Sequence, residues 1–257
     1  MPRTAVRPRR LSRVSLALVV ALAASACADS DDQHGSGSGN GNGRAAPVGK
    51  PAKVDPADFV KKIDNPYLPL VPGTKLHYKG LTKDGPQEDL VEVTHRTRKI
   101  LGVRAVVVRD TATELGKVVE VTSDWYAQDR AGNVWYFGED SRTVKNGKVI
   151  STEGSWEAGK KGASPGIVME AHPKPGDKYR QEHAKGVAED RAEVLSTNAR
   201  VSVPYGTFHN VLKTRDDSPL EPNLVEHKFY AKGVGSVREA TVKGEKDELE
   251  LVKVDKP

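Results

Sequence analysis

The residues in this chain that could do chemistry are scattered acids, a few histidines and two glycine-rich patterns, and each pattern lacks a part its chemistry needs. Gly162-Ala163-Ser164-Pro165-Gly166 has the spacing of a serine-hydrolase nucleophile turn. Such a turn needs the residue after the serine to donate its backbone N–H to an oxyanion, and Pro165 has none. Gly154-Ser155-Trp156-Glu157-Ala158-Gly159-Lys160-Lys161 is one residue from a phosphate-binding loop. Lys161 stands where a Mg²⁺-binding hydroxyl belongs, so the segment reads as a glycine-rich surface loop. Among seven histidines the nearest thing to a ligand set is Glu170-x-His172 with Glu182-His183 and Met169. Its spacing fits no sharp metal motif, and Pro173 and Pro175 put His172 in an irregular loop, so neither a metal nor another cofactor is expected. Asp124, Asp129, Glu139 and Asp140 flank two aromatic segments, and a carboxylate pair at the right separation could hydrolyse a glycoside. Acids in such places also serve simply as turn formers.

Aromatic residues make up only 5% of the chain, yet all three tryptophans fall between 125 and 156. Asp124-Trp125-Tyr126-Ala127-Gln128 and Asn133-Val134-Trp135-Tyr136-Phe137 flank a glycine-containing turn, which makes them the two arms of a hairpin. Adjacent aromatics on a strand point to opposite faces, so both faces of this hairpin should be covered. Two readings stay open. The aromatics pack the core, or one face lines a cavity for an apolar or aromatic ligand. On the second reading the ligand-binding residues are Trp125, Tyr126, Trp135, Tyr136 and Trp156, with Glu139 and Glu157 beside them.

The elements that would hold these residues are mostly strands. Asp55-Pro56 reads as a cap and first residue of a short helix over 57–63, ended by Asn65-Pro66. From Thr74 onward, short runs rich in β-branched residues alternate with turn signals such as Lys145-Asn146-Gly147-Lys148 and Pro204-Tyr205-Gly206. The runs are 75–79, 89–98, 103–110, 117–127, 133–137, 149–151, 177–183, 189–203, 207–216, 226–231, 235–242 and 248–254. No helical period is sustained after them. The expected fold is mainly β, a single antiparallel sheet, strongly curved or a half-barrel, with one short N-terminal helix.

The first residues are of another kind. Arg3, Arg7, Arg9, Arg10 and Arg13 precede an apolar run of about a dozen residues from Val14 to Ala24, which suits a signal peptide and is too short to span a bilayer. Those five arginines account for the whole formal net charge of +5, so the remainder is neutral and a nucleic-acid partner is not expected. Ala24-Ser25-Ala26-Cys27 resembles the bacterial lipobox, in which the chain is cut before a cysteine that then carries a diacylglyceryl group. The usual leucine three places before the cysteine is Ala24 here, and Ala24-x-Ala26 would equally suit ordinary signal peptidase and simple secretion. Cys27 is the single cysteine, so no disulfide can form within one chain. Behind it, His34 to Gly43 alternates glycine with serine and asparagine, a composition with nothing to bury. Three segments follow: a signal peptide at 1–26, a lipidated cysteine with a Gly/Ser/Asn linker at 27–54, and the β domain at 55–257.

Several segments of that domain carry a resemblance as a set. They are Asn65-Pro66-Tyr67-Leu68-Pro69-Leu70, the run from Asp124 to Asp129, Gly132 to Asp140, Gly154 to Gly159, Pro165 to Met169, and Tyr230-Ala231-x-Gly233-Val234-Gly235. Together they resemble a family of bacterial exported proteins and lipoproteins with no established activity. The resemblance implies an envelope location and one β domain, and implies no catalytic residue. The sequence thus leads to a lipoprotein on the outer face of the plasma membrane, or a secreted protein, acting as a non-enzymatic module that binds an apolar, glycan or protein ligand. The alternative is an extracytoplasmic hydrolase using acids near the aromatic hairpin.

Overall fold

The computed structural model describes residues 54–257 apart from residue 83, so the signal segment, Cys27 and the linker up to residue 53 lie outside the described residues. Two short strands, β1 (Asp64–Asn65) and β2 (Leu68–Pro69), form a small hairpin. All other strands belong to one antiparallel sheet. They are β3 (Lys75–Thr82), β4 (Gly85–Ile100), β5 (Val103–Glu114), β6 (Lys117–Gln128), β7 (Val134–Lys145), β8 (Lys148–Ser151), β9 (Trp156–Glu157), β10 (Ser164–Met169), β11 (Lys178–Arg180), β12 (Glu182–His183), β13 (Arg191–Val203), β14 (Gly206–Asp217), β15 (Val225–Ala231), β16 (Gly235–Lys243) and β17 (Glu248–Asp255). Around the sheet the order is β11-β13-β14-β15-β16-β17-β3-β4-β5-β6-β7-β10-β12, with β8 and β9 attached to β7.

The two ends of that order are the same stretch of chain. β11 pairs with β13 and β12 pairs with β10, while only Gln181 separates β11 from β12. Residues 178–183 therefore act as a seam that brings the sheet nearly into a closed barrel, removing its edges. Gly166 in β10 permits this approach. A Cβ there would sit 2.4 Å from the Gln181 carbonyl oxygen and 2.5 Å from that of Arg180, so no larger residue fits.

The expected strands are present and mostly longer than their apolar runs. Besides the division of the 177–183 run at Gln181, two details differ from the sequence reading. Ser164-Pro165-Gly166, set aside as a nucleophile turn, begins strand β10, which the run-based reading did not contain. The expected helix over 57–63 is a single 3₁₀ turn, Pro56–Asp58, capped by the Asp55 carboxylate on the Ala57 N–H at 2.9 Å. Phe59 ends it by leaving for the outer wall of the barrel, where it packs edge-on against Trp135 and Phe137 with centroids 6.0 and 5.5 Å away. Its backbone bridges to Asp129, and the Val60 N–H donates to the Gln128 carbonyl at 2.9 Å. Seven residues make a marginal helix, and these tertiary contacts outweigh it.

The inner face of the barrel is apolar at one end and polar at the other. Leu76, Val91, Val93, Val108, Leu212 and Leu251 fill the apolar part. The outer face carries cross-strand ion pairs at matched register positions, such as Lys79 with Glu88 at 2.7 Å and Lys75 with Glu92 at 3.3 Å. Exposed pairs of this kind each contribute at most about 1 kcal/mol.

Candidate functional site

Strand alternation divides the sequence-derived candidates between the two sides of the wall. On β6, Glu120, Thr122, Asp124, Tyr126 and Gln128 point inward, and Trp125 points outward beneath the Arg98 guanidinium, 4.4 Å from its ring. A bulge at Phe137-Gly138 on β7 keeps both Tyr136 and Glu139 on the inner face, opposite Tyr126 and Asp124. Tyr126 and Tyr136 stack at 4.8 Å, and Trp156 meets Tyr136 edge-on at 5.5 Å while its indole N–H donates to Glu182 Oε1 at 3.3 Å. Tyr126, Tyr136, Trp156 and Glu139 therefore meet inside the barrel. Trp125, Trp135 and Glu157 do not join them. The Trp135 indole N–H donates to Asp129 Oδ2 at 2.8 Å, and Glu157 ion-pairs with Arg98 at 2.6 Å and Lys160 at 2.9 Å.

Beyond these aromatics, the inner wall holds a concentration of acid. Ten carboxyl side chains are buried among the described residues: Asp89, Asp110, Glu120, Asp124, Glu139, Glu170, Glu182, Asp190, Asp216 and Glu239. One cation, Lys228, is buried with them. Its ammonium lies 3.5 Å from Glu239, 3.8 Å from Asp216 and 4.0 Å from Glu226. Burial opposes the Lys228 charge, but the three carboxyls outweigh it and hold its pKa well above the usual lysine range. On the opposite wall, burial pushes Asp124 up to about 7 against the pull of the Tyr136 hydroxyl, which donates to Asp124 Oδ1 at 2.6 Å. Burial likewise raises Asp89 to about 6, and it raises Asp110 well above the usual carboxylate range with Asp89 adding to the effect. No group of three or more His, Cys, Asp or Glu among the described residues is placed to hold a metal ion.

An open cleft of ≈ 630 Å³ lies outside this interior, within the usual range for small-ligand sites. Its floor is the β1–β2 hairpin, fixed by hydrogen bonds that the sequence did not suggest. The Asp64 and Asn65 N–H groups both donate to Gln128 Oε1 at 2.9 Å. The Asn65 amide donates to the Gly132 and Glu170 carbonyls at 2.9 and 3.0 Å, and its oxygen accepts from the Tyr67 and Leu68 N–H groups. The Gly233 N–H donates to the Pro66 carbonyl at 2.8 Å, and the Ala171 N–H to Asn133 Oδ1 at 2.8 Å. Four of the segments that carry the family resemblance thus converge beneath one cleft.

The walls are polar and positioned by irregular strand geometry. Bulges in β13 and β14 shift the register between Val194 and Val201, so Thr197 and Asn210 reach the cleft. Asn210 has φ 53°, the left-handed region that asparagine tolerates better than most residues. Lys232, 5.4 Å above the Tyr67 ring, and His172 and Lys174 complete the rim. Sequence reading passed over Thr197, Asn210 and Lys232 because single polar residues in strands and turns carry no spacing signal. Asn65 was read as a helix end, Gly132 as a turn residue and both as parts of the resemblance, neither as a binding residue.

No family model and no curated protein matches the chain. Two solved structures are similar in shape. One, from Bacteroides fragilis and described in provisional terms as an exported protein with a YmcC-like fold, is 17% identical over 74% of this chain and 99% of that one, with a TM-score of 0.44. The other, described in the same terms as a lipoprotein of Parabacteroides distasonis, is 14% identical over 74% of this chain and 98% of that one, with a TM-score of 0.41. Likeness at this level transfers no residue role.

Proposed function

We propose that this chain is an exported, lipid-tethered, non-enzymatic module whose barrel presents the Asn65–Lys232 cleft to a polar ligand, a glycan being the best fit. The observation that carries this reading is the cleft: a rigid, hydrogen-bonded floor, walls of amide, hydroxyl and ammonium groups, and one aromatic ring, the combination that hydroxyl-rich ligands require. The hydrolase reading gains nothing comparable. Asp124 and Glu139 face each other but are each only 1% exposed, while Asp140 and Glu157 are held in ion pairs on the outer face. The cleft is tested by amide NMR titration with a neutral and an acidic oligosaccharide, cellotetraose and tetragalacturonate. Shifts should centre on residues 65, 67, 132, 197, 210 and 232, and Asn210→Ala with Lys232→Ala should weaken binding by roughly tenfold. Shifts confined to another face, or none with either sugar, refute the glycan reading. The tether is tested separately: the Cys27→Ala protein should move from the membrane fraction to the soluble fraction, and its retention in the membrane would exclude anchoring through Cys27.

A further inference from the structure

The polar groups around the cleft divide into those the fold uses and those it leaves for a ligand. In the floor, the Asn65 amide, the Gln128 amide and the Asn133 amide oxygen all hold protein partners. On the walls, the Lys174 and Lys232 ammonium groups have no ion-pair partner, and the Asn210 amide has no hydrogen-bond partner within the protein. Lysines on the outer face of the barrel are placed differently, as Lys79 is beside Glu88 at 2.7 Å. Asp64 is the single carboxyl among the cleft's lining residues, and its Oδ1 accepts from Gln128 Nε2 at 2.7 Å. Glu170 and Asp177, which flank the loop carrying Lys174, do not line the cleft. Two ammonium groups and His172 therefore stand against one carboxylate that already has a donor.

Both cations are carried on tied backbone. Lys174 lies between Pro173 and Pro175, whose rings restrict the chain on either side, and its N–H donates to Asp177 Oδ2 at 2.7 Å. That loop is fastened at its start by the Ala171 N–H on Asn133 Oδ1 and at its end by the Gly176 N–H on the Val194 carbonyl, each at 2.8 Å. Lys232 precedes Gly233, whose N–H is bound to the Pro66 carbonyl, and its ammonium stands 5.4 Å from the centre of the Tyr67 ring. Tyr67 is only 7% exposed, so a ligand meets this ring through the cation above it rather than through an open aromatic face. We infer, on the reading of the cleft as a glycan site, that its ligand is an acidic glycan, with Lys174 and Lys232 supplying charge-assisted bonds to sugar carboxylates and Asn210 and Thr197 meeting hydroxyls. The chemistry favours the acid because a hydrogen bond between ions is roughly twice as strong as one between neutral groups. A neutral sugar would take water from both ammonium groups and return no charge to them.

The test compares tetragalacturonate with its methyl ester, the same sugar without the charge, by amide NMR titration of the purified protein at low salt. The acid should bind about tenfold more tightly than the ester. Raising the salt to about 0.5 M should remove most of that difference, because exposed charges are then screened. Lys174→Gln and Lys232→Gln should each weaken binding of the acid by roughly threefold to fivefold and leave the ester within about twofold, and the two together should abolish the preference. Lys79→Gln, which removes a cation from the outer face, should change neither. Equal affinity for acid and ester, with shifts still centred on the cleft, overturns the acidic preference and leaves the glycan reading standing. Displacement of tetragalacturonate by an equal concentration of inorganic phosphate would reveal a site for any small anion and overturns the preference as well. Shifts from neither sugar would remove the glycan reading and this inference together.

Discussion

The barrel interior holds two acid clusters that differ by one side chain. Around Lys228, the acids Asp216, Glu226 and Glu239 stand on neighbouring strands β14, β15 and β16 with an ammonium among them, opposite Thr214 and Glu239 in register. Around Asp124, the acids come from β4 to β7 and the seam, and neutral donors reach three of them: the Tyr136 hydroxyl on Asp124 at 2.6 Å, the Thr122 hydroxyl on Glu120 at 3.2 Å, and the Trp156 indole on Glu182 at 3.3 Å. The first cluster surrounds an ammonium, and in the second burial raises Asp89 to about 6 and Asp124 to about 7. A buried carboxyl is therefore not one kind of group in this molecule. Near Lys228 ionisation of at least one acid is favoured by the ammonium, whereas burial disfavours the ionised forms of Asp89, Asp110 and Asp124.

Removing the ammonium should have the largest effect. Lys228→Met keeps the length of the chain and leaves Asp216, Glu226 and Glu239 without their cation, a change of about 3–5 kcal/mol for a broken buried pair. For a domain of this size the melting temperature should drop by about 10 °C at neutral pH. The drop should shrink in acid, where the orphaned carboxyls can take up protons. Asp124→Asn should act in the opposite direction. The amide still accepts from Tyr136 and cannot ionise, so thermal scans should find it close to wild type at about pH 5 and more stable by a few degrees at about pH 8. If both variants destabilise equally at both pH values, the two clusters are alike and the distinction fails.

The sequence disclosed the strands more readily than the interior, for a physical reason. Runs such as Val103–Asp110 and Lys117–Ala127 announce strands by β-branched residues and flanking turns, and they are strands. Their polar continuations, Thr111 to Glu114 and Gly138 to Lys145, do not: the first holds only Ala112 as an apolar residue, and the second carries charge on both faces, so the period of two disappears. The same loss of contrast conceals Lys228. It sits between His227 and Phe229 in a strand that also carries Glu226, where a lysine reads as solvated, and only closure of the sheet makes its side inward. The seam was part of a run read as one strand over 177–183; Gln181 divides it, directing β11 to one neighbour and β12 to another, which is a long-range property no local pattern encodes. Tyr126, Tyr136, Trp156 and Glu139 were found through aromatic spacing. Their acid neighbours Asp89 and Asp110 lie in other hairpins and carried no shared signal.

The smallest effect separates the two tyrosines within the Asp124 cluster. Tyr126 and Tyr136 are stacked, both fully buried, and directly opposite in register, yet only the Tyr136 hydroxyl has a partner. Tyr136→Phe removes the donor that Asp124 accepts from and leaves a buried carboxyl short of a hydrogen bond, which should cost about 1–3 kcal/mol. It should also move the pH-dependent loss of stability to higher pH, because the ionised form of Asp124 loses the stabilising hydrogen bond from the Tyr136 hydroxyl. Tyr126→Phe removes a hydroxyl that bonds to nothing, so denaturant midpoints should change by no more than about 0.5 kcal/mol, in either direction. Comparable losses from the two changes would mean that the Tyr126 hydroxyl holds a buried water linked to the neighbouring carboxyls, and the two stacked tyrosines would then be alike.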